Sequence, residues 1–185
     1  MARTSSNMLP LGTKAPSFTL MDTVSGKNYS LEQLKGLKVT VIMFICNHCP
    51  FVKHVNKELV HIAKNYKSGG VNFIAISSND VEKYPEDSPE NMKKNAIEQG
   101  YIFPYLYDQT QEVAKAYDAA CTPDFYVFDK NLKLTYRGQL DSSRPGNDIP
   151  STGTDLRHAI LSITENKENT WPQKPSIGCN IKWKQ

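Results

Sequence analysis

The chain is organised around an apolar, β-branched run at positions 39–45, which predicts a buried β-strand. This run ends directly in the sequence Cys46-Asn47-His48-Cys49-Pro50. Beyond it, apolar residues recur at positions 52, 55, 59, 62, 63 and 66, which is the spacing of a helix with one buried face. The pattern therefore predicts a strand, a short turn that carries two cysteines, and an amphipathic helix.

The rest of the chain predicts further strands that alternate with helices. Strands are expected at 18–21, 71–77 and 103–107, and a hairpin is expected over 124–138. Helices are expected at 31–35, 89–99, 111–117 and 155–164, the first two with Ser30 and Ser88 at their N-caps. Residues 1–13 are expected to form a loose leader and residues 171–185 an extended tail. The alternation favours a sheet covered by helices, with parallel βαβ pairing at its start.

Composition limits the size of the fold and the class of protein. The 185 residues, 39% of them hydrophobic, suffice for one sizeable core, so we expect a single domain over residues 1–185. The formal net charge is only +3 and the basic residues are scattered, which does not suggest a nucleic-acid surface. No apolar stretch has the length of a membrane span or the form of a targeting segment, so we expect a soluble, cytoplasmic protein.

The two cysteines at the start of the predicted helix point to redox chemistry. The first turn of a helix leaves backbone N–H groups unpaired and carries partial positive charge, which stabilises a thiolate. A Cys-x-x-Cys pair in this setting has a pKa well below the usual value of about 8.5. We predict that Cys46 is the exposed, attacking thiol and that Cys49 is the resolving thiol. His48 lies between them and is expected to add positive charge near Cys46.

Two other interpretations of the pair remain open. Two cysteines at this spacing can form half of a zinc site, but the usual second half, another Cys-x-x-Cys or a His pair, is missing from the sequence. We therefore predict no metal site. The cysteines can also be inert core residues, although a strand followed at once by this motif and a helix is an uncommon combination.

The chain resembles the thioredoxin-like superfamily over residues 10–170. The resemblance is carried by the strand that ends in Cys46-x-x-Cys49-Pro50 and by Thr122-Pro123, which precedes the predicted strand 124–129. The likeness is to its alkyl hydroperoxide reductase/thiol-specific antioxidant branch, and Gly138 after the hairpin also fits it. The resemblance implies an α/β fold, a three-layer sandwich with a mixed central sheet flanked by helices, an N-terminal strand extension and an extended C-terminal tail at 171–185.

The resemblance also assigns a role to the threonine-proline pair. It implies that Pro123 is a cis proline facing the Cys-x-x-Cys helix. Thr122 and Pro123 would then bind substrate, with the backbone of Thr122 offering an open edge to a partner chain. The alternative is a trans proline that opens an edge strand. Cys121 would lie close to the redox pair, either as a third redox thiol or as a small buried residue.

Two departures from the superfamily concern the acid-base chemistry. Thioredoxin-like enzymes usually carry Trp before the first cysteine, and this chain has Ile45. Thioredoxin has a buried Asp on the preceding strand that takes the proton of the second thiol, but no carboxylate is present in strand 39–45 here. His48, Asp124 or water would have to take that proton.

A third departure counts against a peroxidase. Peroxiredoxins place Pro and Thr seven and three residues before the peroxidatic cysteine, whereas counting back from Cys49 gives Ile42 and Cys46. Cys179 lies in the tail, outside the likeness, and is a further candidate redox thiol.

We therefore expect a thiol-disulfide oxidoreductase without a cofactor, acting on a disulfide- or thiol-containing protein or a small thiol. The alternatives are a peroxiredoxin-like thiol peroxidase and a metal carrier that uses Cys46, Cys49 and His48.

Overall fold

Strands and helices alternate through residues 3–185, the part of the chain that the computed structural model describes. In chain order the elements are β1 (Arg3–Ser5), β2 (Thr19–Asp22), β3 (Asn28–Ser30), α1 (Leu31–Leu34), β4 (Val39–Phe44), α2 (Pro50–Tyr66), β5 (Val71–Ser77), α3 (Pro89–Gln99), β6 (Tyr105–Tyr107), α4 (Glu112–Ala116), β7 (Cys121–Thr122), β8 (Asp124–Asp129), β9 (Leu134–Gly138), α5 (Thr154–Thr164) and β10 (Ile177–Asn180).

A mixed seven-stranded sheet forms the centre of the fold, with the strand order β3-β2-β6-β5-β4-β8-β9. The central strand β4 pairs in parallel with β5 and antiparallel with β8. All six residues of β4 are buried. Because both faces of this strand are covered, its sequence is a continuous apolar run without polar alternation.

Alternate residues of the central strands point into two separate cores. One core contains Val41 and Val127 and is closed by α2, α3 and α5. The other contains Ile42 and Tyr126 and packs against the segment around α4 and against α1. The sheet is thus a middle layer between two helical layers, which confirms the predicted α/β three-layer fold.

A second, three-stranded sheet with the order β1-β10-β7 joins both ends of the chain to the middle of the sequence. The tail is extended as predicted, and its strand β10 pairs antiparallel with β1 on one side and β7 on the other. The prediction of a loose leader over 1–13 was wrong for Arg3–Ser5, which forms β1; residues 1 and 2 lie outside the described part. This pairing joins two segments about 175 residues apart, so no local sequence pattern indicates it.

None of the helices within residues 3–185 is both long enough and apolar enough to cross a membrane.

Candidate active site

The two cysteines of the motif lie where β4 ends and α2 begins. Cys49 is the N-cap of α2, and Pro50 occupies the first helical position, where its missing N–H costs nothing. Cys46 lies three residues earlier, in the turn. The exposed fraction of the residue is 1% for Cys46 and 0% for Cys49. The prediction that Cys46 is exposed was therefore wrong.

Thr122 lies against both thiols, and the peptide bond between Thr122 and Pro123 is cis, as the resemblance implied. The Sγ of Cys46 lies 3.4 Å from the Oγ1 of Thr122. The Sγ of Cys49 lies 3.2 Å from the Thr122 carbonyl oxygen, to which a Cys49 thiol can donate. One residue therefore positions both sulfur atoms.

The tail strand β10 covers the backbone edge that was predicted to be open for a partner. Cys179 pairs with Thr122 and Asn180 with Cys121 in antiparallel register. The Sγ of Cys179 lies 2.9 Å from the Sγ of Cys49. The prediction of an open edge at Thr122 was therefore wrong, because the chain itself occupies that edge.

Hydrogen bonding makes the two motif thiols unequal. The Cys46 thiol donates to Cys49 and lowers the pKa of Cys49 to about 5; Cys179 and the first-turn amide of Val52 act in the same direction, against the effect of burial. The same interaction with Cys49 raises the pKa of Cys46, and burial and the charge of Asp87 raise it further. The thiol with the lowered pKa is thus Cys49, the N-cap residue of α2, contrary to the prediction, and the largest cause is its hydrogen bond with Cys46.

His48 is held by a buried carboxylate that the sequence analysis did not identify. The Nδ1 of His48 donates to the Oδ2 of Asp87 at 2.6 Å, and this bond raises the pKa of His48 against the effect of burial. Asp87 also accepts from the backbone amide of Asn47 at 2.8 Å and from the side-chain amide of Asn79 at 2.7 Å. These bonds outweigh the effect of burial and lower the pKa of Asp87.

Asp87 was missed because nothing in its local sequence marks it. It belongs to the polar stretch between β5 and α3. The one available signal was that this stretch follows the carboxyl end of β5, the strand parallel to the one that leads into Cys46.

The donor atoms of Cys46, His48 and Asp87 all lie within 4.8 Å of one another, a spacing compatible with three ligands of a metal ion. However, each oxygen of Asp87 already accepts hydrogen bonds from within the chain: Oδ1 from backbone amides and Oδ2 from His48 and Asn79. We interpret the cluster as a hydrogen-bonded support for the turn that carries Cys46.

Asp124, one candidate acceptor for the proton of the second thiol, is turned away from the pair. Its carboxylate accepts from the Tyr126 hydroxyl at 3.1 Å, and Tyr126 packs in the core on the opposite side of the sheet from α2. Burial raises the pKa of Asp124 to about 8. Asp124 therefore does not stand in for the missing carboxylate.

Cys121 is fully buried, and its Sγ lies 3.8 Å from the carbonyl oxygen of Pro123. Burial is the main cause that raises the pKa of this thiol far above its ordinary value. Of the two interpretations of Cys121, the geometry favours the small buried residue.

Comparison with known proteins matches residues 10–156 to the Redoxin family. Thiol-disulfide oxidoreductase ResA of Geobacillus thermodenitrificans is 26% identical over 133 residues, which cover 71% of this chain and 70% of ResA. The chloroplastic peroxiredoxin Q of Suaeda salsa is 27% identical over 144 residues, which cover 72% of this chain and 62% of that protein. An uncharacterized conserved protein from Geobacillus kaustophilus, known from a crystal structure, is 62% identical, with a TM-score of 0.98 over 100% of this chain and 97% of that one. Thioredoxin-family structures at 21% identity align with TM-scores of 0.62 and 0.64, and at that identity they show the fold alone.

Proposed function

Because the chain belongs to the Redoxin family, we propose that it is a thiol-disulfide oxidoreductase in which Cys46 and Cys49 form the redox-active disulfide. The observation that carries this proposal is the lowered pKa of Cys49, about 5, beside a hydrogen-bonded Cys46 thiol. The pair then holds one thiolate and one thiol at neutral pH, and thiol-disulfide exchange needs a thiolate as its nucleophile.

In the first step, Cys46 becomes the thiolate that attacks the partner. Its proton passes to Cys49 along the hydrogen bond between the two sulfur atoms, and the carbonyl oxygen of Thr122, 3.2 Å from Cys49, accepts the resulting Cys49 S–H. The Cys46 thiolate attacks one sulfur of a partner disulfide. A mixed disulfide forms, and the other partner sulfur leaves as a thiolate that takes a proton from solvent.

The second step closes the disulfide within the protein. Cys49 loses its proton and attacks the Sγ of Cys46, and the bond between Cys46 and the partner breaks. The partner leaves as a second thiol. In sum, the partner disulfide gains two electrons from the protein, one proton from the thiol of the pair and one proton from solvent. The protein, which starts as one thiolate and one thiol, becomes the Cys46–Cys49 disulfide.

His48 acts in this scheme through its charge. The bond to Asp87 favours the imidazolium form of His48, so the positive ring offsets the negative carboxylate that would otherwise oppose a thiolate on Cys46. The partner is a disulfide- or thiol-containing protein or a small thiol, and Thr122 and Pro123 are the substrate-binding residues once β10 has moved off the edge of Thr122. Both thiols are buried, so a partner reaches Cys46 only when the covering segments move.

The test is reduction of insulin disulfides with dithiothreitol as the electron source. We expect Cys46→Ser to lower the rate at least about 100-fold, because the nucleophile is lost. Cys49→Ser should instead accumulate a covalent complex with the partner through Cys46, visible on a non-reducing gel. Cys121→Ala is the matched control and should keep the wild-type rate. Wild-type rates in both Cys46→Ser and Cys49→Ser would refute the proposed function.

Peroxide reduction is the second candidate, and the match to peroxiredoxin Q is the observation that favours it. The Pro and Thr positions of that family are absent before Cys49, which weakens it. Stopped-flow reaction of the reduced protein with hydrogen peroxide separates the two functions. An oxidation rate no higher than that of free cysteine excludes the peroxidase.

A further inference from the structure

The tail is held against the site by contacts that leave it little freedom. The backbone of Gly178 lies so close to Thr122 that a Cβ at that position would be 1.9 Å from the Thr122 carbonyl oxygen. Just after β10, the Ile181 amide donates to Ala120 at 3.1 Å, and the Lys182 amide donates to Asn79 at 2.9 Å. Cys179 is therefore a fixed part of the site.

The third thiol faces Cys49, which is the sulfur it can react with. A distance of 2.9 Å separates the sulfur atoms of Cys179 and Cys49, so an approach of roughly 0.9 Å brings them to a disulfide bond length of about 2.05 Å. In the reduced protein, burial and the hydrogen bond to Cys49 raise the pKa of Cys179 to about 12. The contribution of Cys49 disappears once its sulfur is in a disulfide.

We propose that Cys179 is a third catalytic thiol, which exchanges with the Cys46–Cys49 disulfide and converts it into a Cys49–Cys179 disulfide. This inference rests on the proposed function, since that function supplies the first disulfide. The Cys179 thiolate attacks the Sγ of Cys49, the bond between Cys49 and Cys46 breaks, and Cys46 leaves as a thiolate. The proton lost by Cys179 is taken up by Cys46, so no external oxidant or reductant is needed.

The exchange has a consequence for turnover. It returns Cys46 to the thiol form while the oxidation is kept at the tail, and it ties β10 covalently to the start of α2. The protein would then have two oxidised forms with the same number of electrons. In the form with the Cys46–Cys49 disulfide, Cys46 is not a thiol. In the form with the Cys49–Cys179 disulfide, Cys46 is a thiol.

Peptide mapping can identify the two forms. Trypsin, which does not cut the Lys174–Pro175 bond, leaves Cys46 and Cys49 together in residues 39–53 and Cys179 in residues 168–182. The full-length protein is oxidised with oxidised glutathione, remaining thiols are alkylated, and the digest is analysed by mass spectrometry. We expect a cross-link between the two peptides in the wild type, with the alkyl group on Cys46.

Variants make the assignment specific. In Cys46→Ser, where the first disulfide cannot form, we expect the cross-link between Cys49 and Cys179 to form directly by oxidation. Cys46→Ser/Cys179→Ser should give no cross-link between these peptides, whereas Cys46→Ser/Cys121→Ala should leave its yield unchanged. Circular dichroism establishes that each variant is folded.

Two failures can be told apart. If Cys46–Cys49 is the only disulfide in the wild type, and folded Cys46→Ser gives no cross-link, the role of Cys179 is refuted and the proposed function stands. If no disulfide forms at Cys46 in any variant and insulin is not reduced, the proposed function itself has failed.

Discussion

Replacing Gly178 by alanine tests whether the tail is seated on Thr122. The added Cβ would lie 1.9 Å from the carbonyl oxygen of Thr122 and 2.6 Å from its carbonyl carbon. Both atoms are backbone, so neither can rotate away as the end of a flexible side chain would. The variant can be accommodated only if β10 and β7 separate.

The expected cost follows from the kind of strain. Forcing a group into a well-packed site costs about 1–3 kcal/mol. A central value of about 2 kcal/mol, with a urea m-value of about 2 kcal/mol/M, shifts the unfolding midpoint by about 1 M. For a chain of this size the same free energy lowers Tm by about 4–8 °C. The strain lies between two strands that flank the thiols, so the reactivity of the thiols should change as well.

Two measurements on the same protein check this. Urea unfolding gives the change in stability, and the rate of reaction with Ellman's reagent gives the accessibility of the buried thiols. Gly69→Ala is the matched control, because a Cβ at Gly69 meets no atom within 4 Å. We expect it to stay within about 0.5 kcal/mol of the wild type. Gly178→Ala should react with the reagent at least about tenfold faster than Gly69→Ala, since about 1.4 kcal/mol of local destabilisation gives a factor of ten.

An equal stability of the Gly178→Ala and Gly69→Ala variants would refute the reasoning, because it would mean that the tail does not contact Thr122 in solution. Lower stability without faster thiol reaction would show that the tail is seated there but does not control access to the thiols.

Further predictions concern ionisation. The absorbance of the thiolate at 240 nm should fall as the pH falls through about 5, because the pKa of Cys49 is about 5. In Cys49→Ser this change in absorbance near pH 5 should be absent. Asp87→Asn should lower the pKa of His48, measured by NMR titration, and destabilise the fold by about 1–3 kcal/mol through weakened buried hydrogen bonds. The lowered pKa of Asp87 adds stability that is present above about pH 3.9 and is lost as the pH falls through the pKa of Asp87 in the folded protein. The raised pKa of His48 adds stability that is present below about pH 6.5 and is lost as the pH rises through the pKa of His48 in the folded protein. The stability advantage of the wild type over Asp87→Asn should therefore be largest between about pH 4 and 6.5, and an advantage that keeps growing above pH 7 would contradict this.

Local sequence patterns predicted the elements that carry the motif. The strand β4, the amphipathic body of α2 and the extent of α3 follow from apolar spacing and capping residues, which act over a few positions. The cis peptide bond at Pro123 was predicted from the resemblance, and it is confirmed. These features are either local or specific to the superfamily.

Contacts between distant segments could not be predicted in this way. Cys179 lies 130 positions from Cys49 and Asp87 lies 39 positions from His48, and neither has a periodic pattern around it that indicates its partner. The reversed pKa order of Cys46 and Cys49 has the same origin. It depends on donors from the tail and on the exact residue at which α2 begins, and the boundaries of elements are the least predictable part of a sequence pattern.

Thr122 links the position of the tail to the ionisation of the thiols. Its hydroxyl contacts Cys46, its carbonyl oxygen faces Cys49, and its backbone pairs with Cys179. A shift of β10 therefore moves the carbonyl that accepts a proton from Cys49, and it also removes the Cys179 donor that favours the Cys49 thiolate. These two changes act on the same proton, so displacement of the tail by a partner would alter the division of charge between Cys46 and Cys49 as well as opening access to them. In the proposed mechanism, binding and activation would then be a single event at Thr122, and a variant that loosens the tail should change the pH dependence of the reaction together with its rate.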